Sequence, residues 1–226
     1  MRRIPTNRTS RSIFAAGTLL AALGTLAGGA WYALAGASGD QSYGDAIRSL
    51  AGGEADTPAA VVDGQAIPMS KILAHRVLMA AGSDFGYQDG LDDQAYLDVL
   101  IDNQVLYQEA VRRGLMPSDE EVKAQALAQK KGLQEFIRGD SPDAEKLRAQ
   151  FAQVKGTPYD LDTYDLSSVI LDGVRQSIAI NAIRVQIIQT LPRSEQGSPE
   201  AVGKAVAGVI ADLRAKADVH VVAKLP

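Results

Sequence analysis

The chain contains no cysteine. Disulfides, thiolate catalysis and cysteine-ligated zinc are thereby excluded. Histidine is nearly as scarce: His75 and His220 are the only two, and lone histidines far apart in sequence serve structure more often than metal binding or catalysis. Aromatic residues make up 5% of the chain, too few for a stacking surface that would grip bases or sugars. Four of the 23 basic residues (Arg2, Arg3, Arg8, Arg11) lie in the first twelve positions, leaving 19 against 27 acidic ones. No basic face remains for phosphate, so a nucleic-acid partner is not expected.

The most consequential absence is local. Residues 13–39 carry no charge, and residues 1–12 carry no acid. An uncharged run of this length exceeds the roughly 20 residues needed to cross a bilayer as a helix. The arginines before it place residues 1–12 in the cytoplasm by the positive-inside rule. Residues 13–37 are expected to be a transmembrane anchor with Trp31-Tyr32 at an interface. A cleaved signal peptide has a shorter apolar core, although Ala35-Gly36-Ala37 is an acceptable cleavage site. Either reading exports the rest of the chain, and the expected location is a bacterial inner membrane with the C-terminal domain in the periplasm. Gly24-x-x-x-Gly28 is read as ordinary membrane-helix glycine rather than a dimer motif. The sequon Asn7-Arg8-Thr9 falls on the cytoplasmic side and is discounted.

Residues 38–58 are rich in Gly, Ser, Asp and Ala and read as a linker. Residues 59–226 suffice for one domain with a sizeable core. They open with Ala59-Ala60-Val61-Val62-Asp63-Gly64-Gln65-Ala66-Ile67, two apolar pieces around Asp-Gly, the strongest short-range hairpin signal. After Pro68 the period becomes helical. Met69, Ile72, Leu73 and Val77 mark a helix ending near Gly82, followed by a polar loop over Asp84–Asp93. Leu97, Leu100, Ile101, Val105 and Val111 predict the next helix, stopped by Gly114. Ser118 to Glu121 forms a capping box. Ser141-Pro142 opens a helix carrying Leu147, Phe151 and Val154, broken at Gly156-Thr157-Pro158. A long helix is expected from about Leu161 to Thr190, with Leu166, Val169, Ile170, Ile180, Ile183, Ile187 and Ile188 apolar. Ser198-Pro199 caps a last helix with Val202, Val206, Val209, Ile210 and Leu213 at three-four spacing. Val219–Ala223 reads as a strand whose only evident partner is the hairpin. The expected fold is therefore mainly α: a helical bundle closed by a small β-sheet, built from the N-terminal hairpin and the C-terminal strand, and preceded by one transmembrane helix. There is no internal repeat.

The remaining candidates for chemistry are weak. Asp160, Asp162 and Asp165 begin like a calcium loop, but Asp165 stands where the loop needs glycine and Leu171 where it needs its last ligand. A solvated helix start is the better reading. Asp84-Phe85-Gly86 lacks every companion element of a kinase. Asp92 and Asp93 read as a helix cap, with a catalytic pair as the remote alternative. No phosphate-binding loop, Gly-x-Ser-x-Gly elbow or His-Glu-x-x-His is present. No enzyme activity, cofactor or metal is expected.

Several segments together resemble a known family. Val61-Val62-Asp63-Gly64-Gln65-Ala66-Ile67 is similar to the "VVNGxxI" opening of the SurA-like N-terminal chaperone domain, which also occurs in the PpiD and PrsA foldases. The run from Leu97 through Leu100-Ile101-Asp102-Asn103-Gln104-Val105-Leu106-Tyr107-Gln108-Glu109-Ala110 resembles its "LIdexLlxQeA" helix. Arg112-Arg113-Gly114-Leu115 with Ser118-Asp119-Glu120-Glu121-Val122 resembles the segment that follows. Ile180-Asn181-Ala182-Ile183-Arg184 resembles a later helix, and Leu213 to Val221 the closing segment. The likeness covers about Val61 to Val222. Many relatives insert or append a parvulin prolyl isomerase. Here only Thr190 to Gly197 separates the last two helices, so that domain is absent. The resemblance implies an ATP-independent chaperone-like module binding unfolded or nascent exported polypeptides through an apolar groove, with Met69, Met79 and Met116 as candidate lining or, more simply, core residues. The alternative is a dedicated assembly or structural subunit of one membrane complex.

Overall fold

The computed structural model describes residues 57–73 and 91–222. The expected anchor, the linker up to residue 56, the helix end at Val77 to Gly82 and most of the Asp84–Asp93 loop lie outside them; Pro58, the linker's expected last residue, already belongs to the first strand. Among the described residues, no helix is long and apolar enough to cross a membrane.

The hairpin forms where Asp-Gly required it. Strand β1 (Pro58–Val62) pairs antiparallel with β2 (Gln65–Pro68) across a two-residue turn. Asp63 and Gly64 both have positive φ, 48° and 78°. This is the turn whose twist matches that of paired strands, and Asp and Gly are among the few residues that tolerate it. Strand β3 (Val219–Val221) lies antiparallel on the other side of β1, giving the order β2-β1-β3. Asp63 fastens the returning chain: its N–H donates to the Asp218 carbonyl at 2.9 Å, and its Oδ1 accepts from the Asp218 N–H at 2.7 Å. The hairpin turn and the closing strand are thus specified by one residue.

The helix ends follow the local signals. Helix α1 (Asp93–Arg112) is capped by Asp92, whose side chain accepts from the Ala95 N–H at 2.8 Å, and stops before Gly114 at φ 67°. Helix α2 (Asp119–Ile137) carries the capping box: Ser118 Oγ accepts from the Glu121 N–H, and Glu121 Oε2 accepts from the Ser118 N–H at 2.8 Å. Helix α3 (Pro142–Gln153) is capped by Ser141 and α5 (Pro199–Lys216) by Ser198, each with proline in the first turn. Between them, α4 spans Ser168–Thr190.

Two expectations need correction. The buried face of α1 runs through Leu106, Glu109 and Ala110, so Val111, the next residue round, turns outward and is 49% exposed. More substantially, the long helix begins at Ser168 rather than near Leu161. The intervening stretch folds as turns and one short 3-10 helix, Tyr164–Leu166. Asp160 is the local cause: its carboxylate accepts from the Gly156 N–H at 2.7 Å and from the Asp162 N–H at 2.9 Å, an alternative to helical bonding. Lys130 on α2 completes the diversion by donating to the Asp162 carbonyl and to Asp165 Oδ1, at 2.6 and 2.7 Å. Tyr164 is thereby buried completely, while Leu166 is left 75% exposed and Val169 38% exposed. The three aspartates therefore organise turns ahead of the helix and are not its solvated start.

Helix α4 is the spine joining two apolar cores. Its C-terminal half supplies Ala179, Ile180, Ile183 and Ile187 to a core shared with β1, β2, α1 and Leu213 of α5. Its N-terminal half supplies Ile170 and Val174 to a second core with Val122, Ala126 and Leu133 of α2, Phe151 of α3, and Tyr164. Polar ties hold the first core in register. Gln108 Nε2 on α1 donates to the Val62 carbonyl at 2.9 Å. Buried Glu109 pairs with Arg112 and Arg113, and Arg113 reaches across to Gln186 Oε1 on α4 at 3.1 Å. The second core has its own tie in Lys130–Asp165.

That tie carries a pH signature. The hydrogen bond from Lys130 holds the Asp165 carboxyl below its ordinary value, outweighing the opposing effect of burial. A carboxyl with a depressed folded-state pKa contributes stability that is present above the unfolded value, near pH 4, and lost as pH falls through the lower folded value. The stability gap between the wild type and Asp165→Asn is expected to be largest near neutral pH and to narrow as pH falls below about 4. Denaturation midpoints across that range would check it; a gap independent of pH would show that the carboxylate charge is not involved.

Candidate functional site

Helix α5 is docked unevenly. Its C-terminal end is well held: Leu213 is buried, and Arg214 donates to Asp98 and Asp102 on α1 at 2.9 and 3.1 Å. The carboxylates raise the Arg214 pKa, chiefly through the Asp98 hydrogen bond. Burial pushes Asp102 up, more strongly than Arg214 draws it down. Towards its N-terminus the helix loosens. Ala205, Val206, Val209 and Ile210 pack on the first core but stay partly exposed, so Leu213 is the one buried residue of an 18-residue helix. The regular stripe expected from Val202 to Leu213 exists, yet the bundle covers only part of it.

Beside this stripe lies an open depression of about 770 Å³ between α5 and the turn after α4. Leu191, Ala201, Ala205 and Val209 give it apolar walls. Glu195, Glu200 and Asp212 line it as acids against the single Lys204. Gly208 adds width, since a side chain there would meet nothing within 4 Å. The volume falls within the range of ligand-sized clefts, about 300–1,000 Å³, but the depression is an open trough rather than an enclosed cavity. The outward positions Gly203, Ala207, Gly208 and Ala211 of α5 are exposed and small, where a solvated helix face is usually charged, but of these only Gly208 lines the depression.

The sheet offers a second accessible element. The bonds Asp63 N–H to Asp218 O and Val222 N–H to Ala59 O, both 2.9 Å, flank the Val61↔His220 pair. They show that His220 directs its backbone groups at β1, whereas Val219 and Val221 direct theirs away. On that side no strand lies among the described residues.

The other candidates resolve into structural roles or fall outside view. Asp92 caps α1, and Asp93 is its first residue. His220 is exposed on β3, its Nε2 2.9 Å from Asp218 Oδ1. Met69 and Met116 are partly buried against the first core, as packing residues. His75, Met79 and Asp84-Phe85-Gly86 lie outside the described residues. Among the described residues, no group of three His, Asp or Glu side chains is placed to hold a metal ion. Comparison with family models, with curated proteins and with solved structures finds no match.

Proposed function

We propose that this chain is a membrane-tethered, extracytoplasmic, ATP-independent chaperone-like module, of the SurA-like type without the isomerase domain, that binds unfolded or nascent exported polypeptides. The observation that carries this reading is the partly covered apolar stripe of α5 beside an open trough. A helix with its apolar side only half buried retains surface that a passing apolar segment can cover. Its apolar walls are aliphatic and small, interspersed with Glu195, Glu200, Lys204 and Asp212, which accommodates varied side chains better than a shaped aromatic pocket. The uncharged run at residues 13–37 supplies the tether, which raises the module's effective concentration near chains leaving the export channel.

The full chain, reconstituted in lipid nanodiscs, is expected to slow the light-scattering rise of an aggregating unfolded client at several-fold molar excess. It is expected to do so without ATP and without accelerating prolyl isomerisation. Absence of any effect on aggregation would overturn the reading. Crosslinking in membranes is expected to yield many exported chains; one stoichiometric partner instead would identify a dedicated assembly subunit.

A further inference from the structure

We propose that the outer edge of β3 is a strand-addition site, at which an extended segment of the client polypeptide pairs with the backbone of Val219 and Val221. This rests on the polypeptide-binding reading above and specifies the form in which the client is held.

The two edges of the sheet are built differently. On β2, the hairpin register turns Ala66 and Pro68 outward, and proline has no N–H to offer. That edge is blunted in the way sheets usually avoid unwanted pairing. On β3, the outward residues are Val219 and Val221, whose N–H and C=O are directed away from β1 and meet no strand among the described residues. No lysine, arginine, glutamate or proline interrupts Val219–Val222. His220, Val221 and Val222 are exposed, Val221 to 52% and Val222 to 57%. Val219 and Val221 share a face with Val62 and Ala60, both fully buried. Val221 therefore forms an apolar ledge at the margin of the first core, where every second side chain of an added strand would lie.

This geometry selects the occupant. Backbone pairing is indifferent to sequence, so it suits varied unfolded chains, and the ledge favours apolar residues at alternating client positions. A second copy of this chain is a poorer fit. Antiparallel pairing of two β3 edges would oppose His220 to its own copy and extend over only three residues a side. Such a contact falls far short of the roughly 1,200 Å² typical of a stable interface, whereas a transient client needs only weak binding.

The test uses the full chain in nanodiscs and a peptide of about six residues with alternating valine and threonine. Two further peptides are N-methylated on one or the other alternate set of amides. One methylated set is expected to weaken binding roughly tenfold or more and the other to have little effect, as loss of about two backbone hydrogen bonds implies. Peptide binding is expected to slow hydrogen exchange at the Val219 and Val221 amides. Val221→Pro removes an outward N–H while leaving those of His220 and Val222 bonded to β1; it is expected to weaken binding to a similar degree, with Val221→Thr close to wild type. If the peptide binds but neither methylated set nor Val221→Pro matters, strand addition is wrong and the polypeptide-binding reading survives. If no peptide binds and client aggregation is also unaffected, both fall. A dimer that Val221→Pro dissociates would assign the edge to a second copy and overturn the proposal.

Discussion

Tyr164→Ala is expected to lower stability by about 3–5 kcal/mol, the usual range for removing a large aromatic side chain from a core. Among the described residues, Tyr164 is the largest completely buried side chain, and it sits on the short 3-10 helix between α3 and α4. It lies against α2 and α4 in a core that Phe151 of α3 also enters, so its loss opens a cavity between them. Its hydroxyl also donates to Gln129 Oε1 on α2 at 3.0 Å. Tyr164→Phe keeps the ring and leaves that oxygen unpaired, beside a Gln129 amide nitrogen that already has no hydrogen-bond partner. The expected cost is about 1–2 kcal/mol. Chemical denaturation with an unchanged m-value would separate the two variants. Equal losses would mean that the hydrogen bond, rather than packing, holds the second core; a loss below about 1 kcal/mol for Tyr164→Ala would mean that the segment is not anchored as described.

Val62→Asp is expected to have a comparable or larger effect, more than about 4 kcal/mol, because it places a carboxylate where no partner exists. Val62 is fully buried at the centre of the sheet. It pairs with Gln65 on one side and Val219 on the other, and its carbonyl accepts from Gln108. The substitution therefore strikes the hairpin, the closing strand and the α1 contact together. Val62→Ala, which deletes only apolar volume, is expected to cost about 2 kcal/mol. Limited proteolysis should cut the aspartate variant within the sheet under conditions that spare the alanine variant. Similar resistance in both would show that β1 tolerates charge and that the sheet does not close the first core.

Local signals were legible wherever one residue sets one dihedral or satisfies one helix end. Asp63-Gly64, Asp92, Ser118 with Glu121, Ser141-Pro142, Ser198-Pro199 and Gly114 act through their immediate neighbours, and each occurs where its chemistry places it. The α1 residues Leu97, Leu100, Ile101 and Val105 were legible because a periodic stripe must face a core whatever that core contains. The stretch from Leu161 to Ser167 was legible only in part: Asp160 turns it through local bonds to Gly156 and Asp162, but it is also held by Lys130, a distant residue on α2 whose approach no local pattern announces. The trough along α5 was hidden for a related reason. Periodicity tells which side of a helix is apolar, but how far neighbouring helices cover that side depends on where they end.

Chain order and composition were enough to specify a helical body with a hairpin at its start and a strand at its end, since those features follow from turn chemistry, caps and period. The division of α4 between two cores, the anchoring of the turns before it by Lys130, and the extent to which the trough and the sheet edge stay open arise from contacts between residues far apart in sequence. Such contacts are set by packing geometry and hydrogen-bond competition across the folded chain, and no window of neighbouring residues contains them.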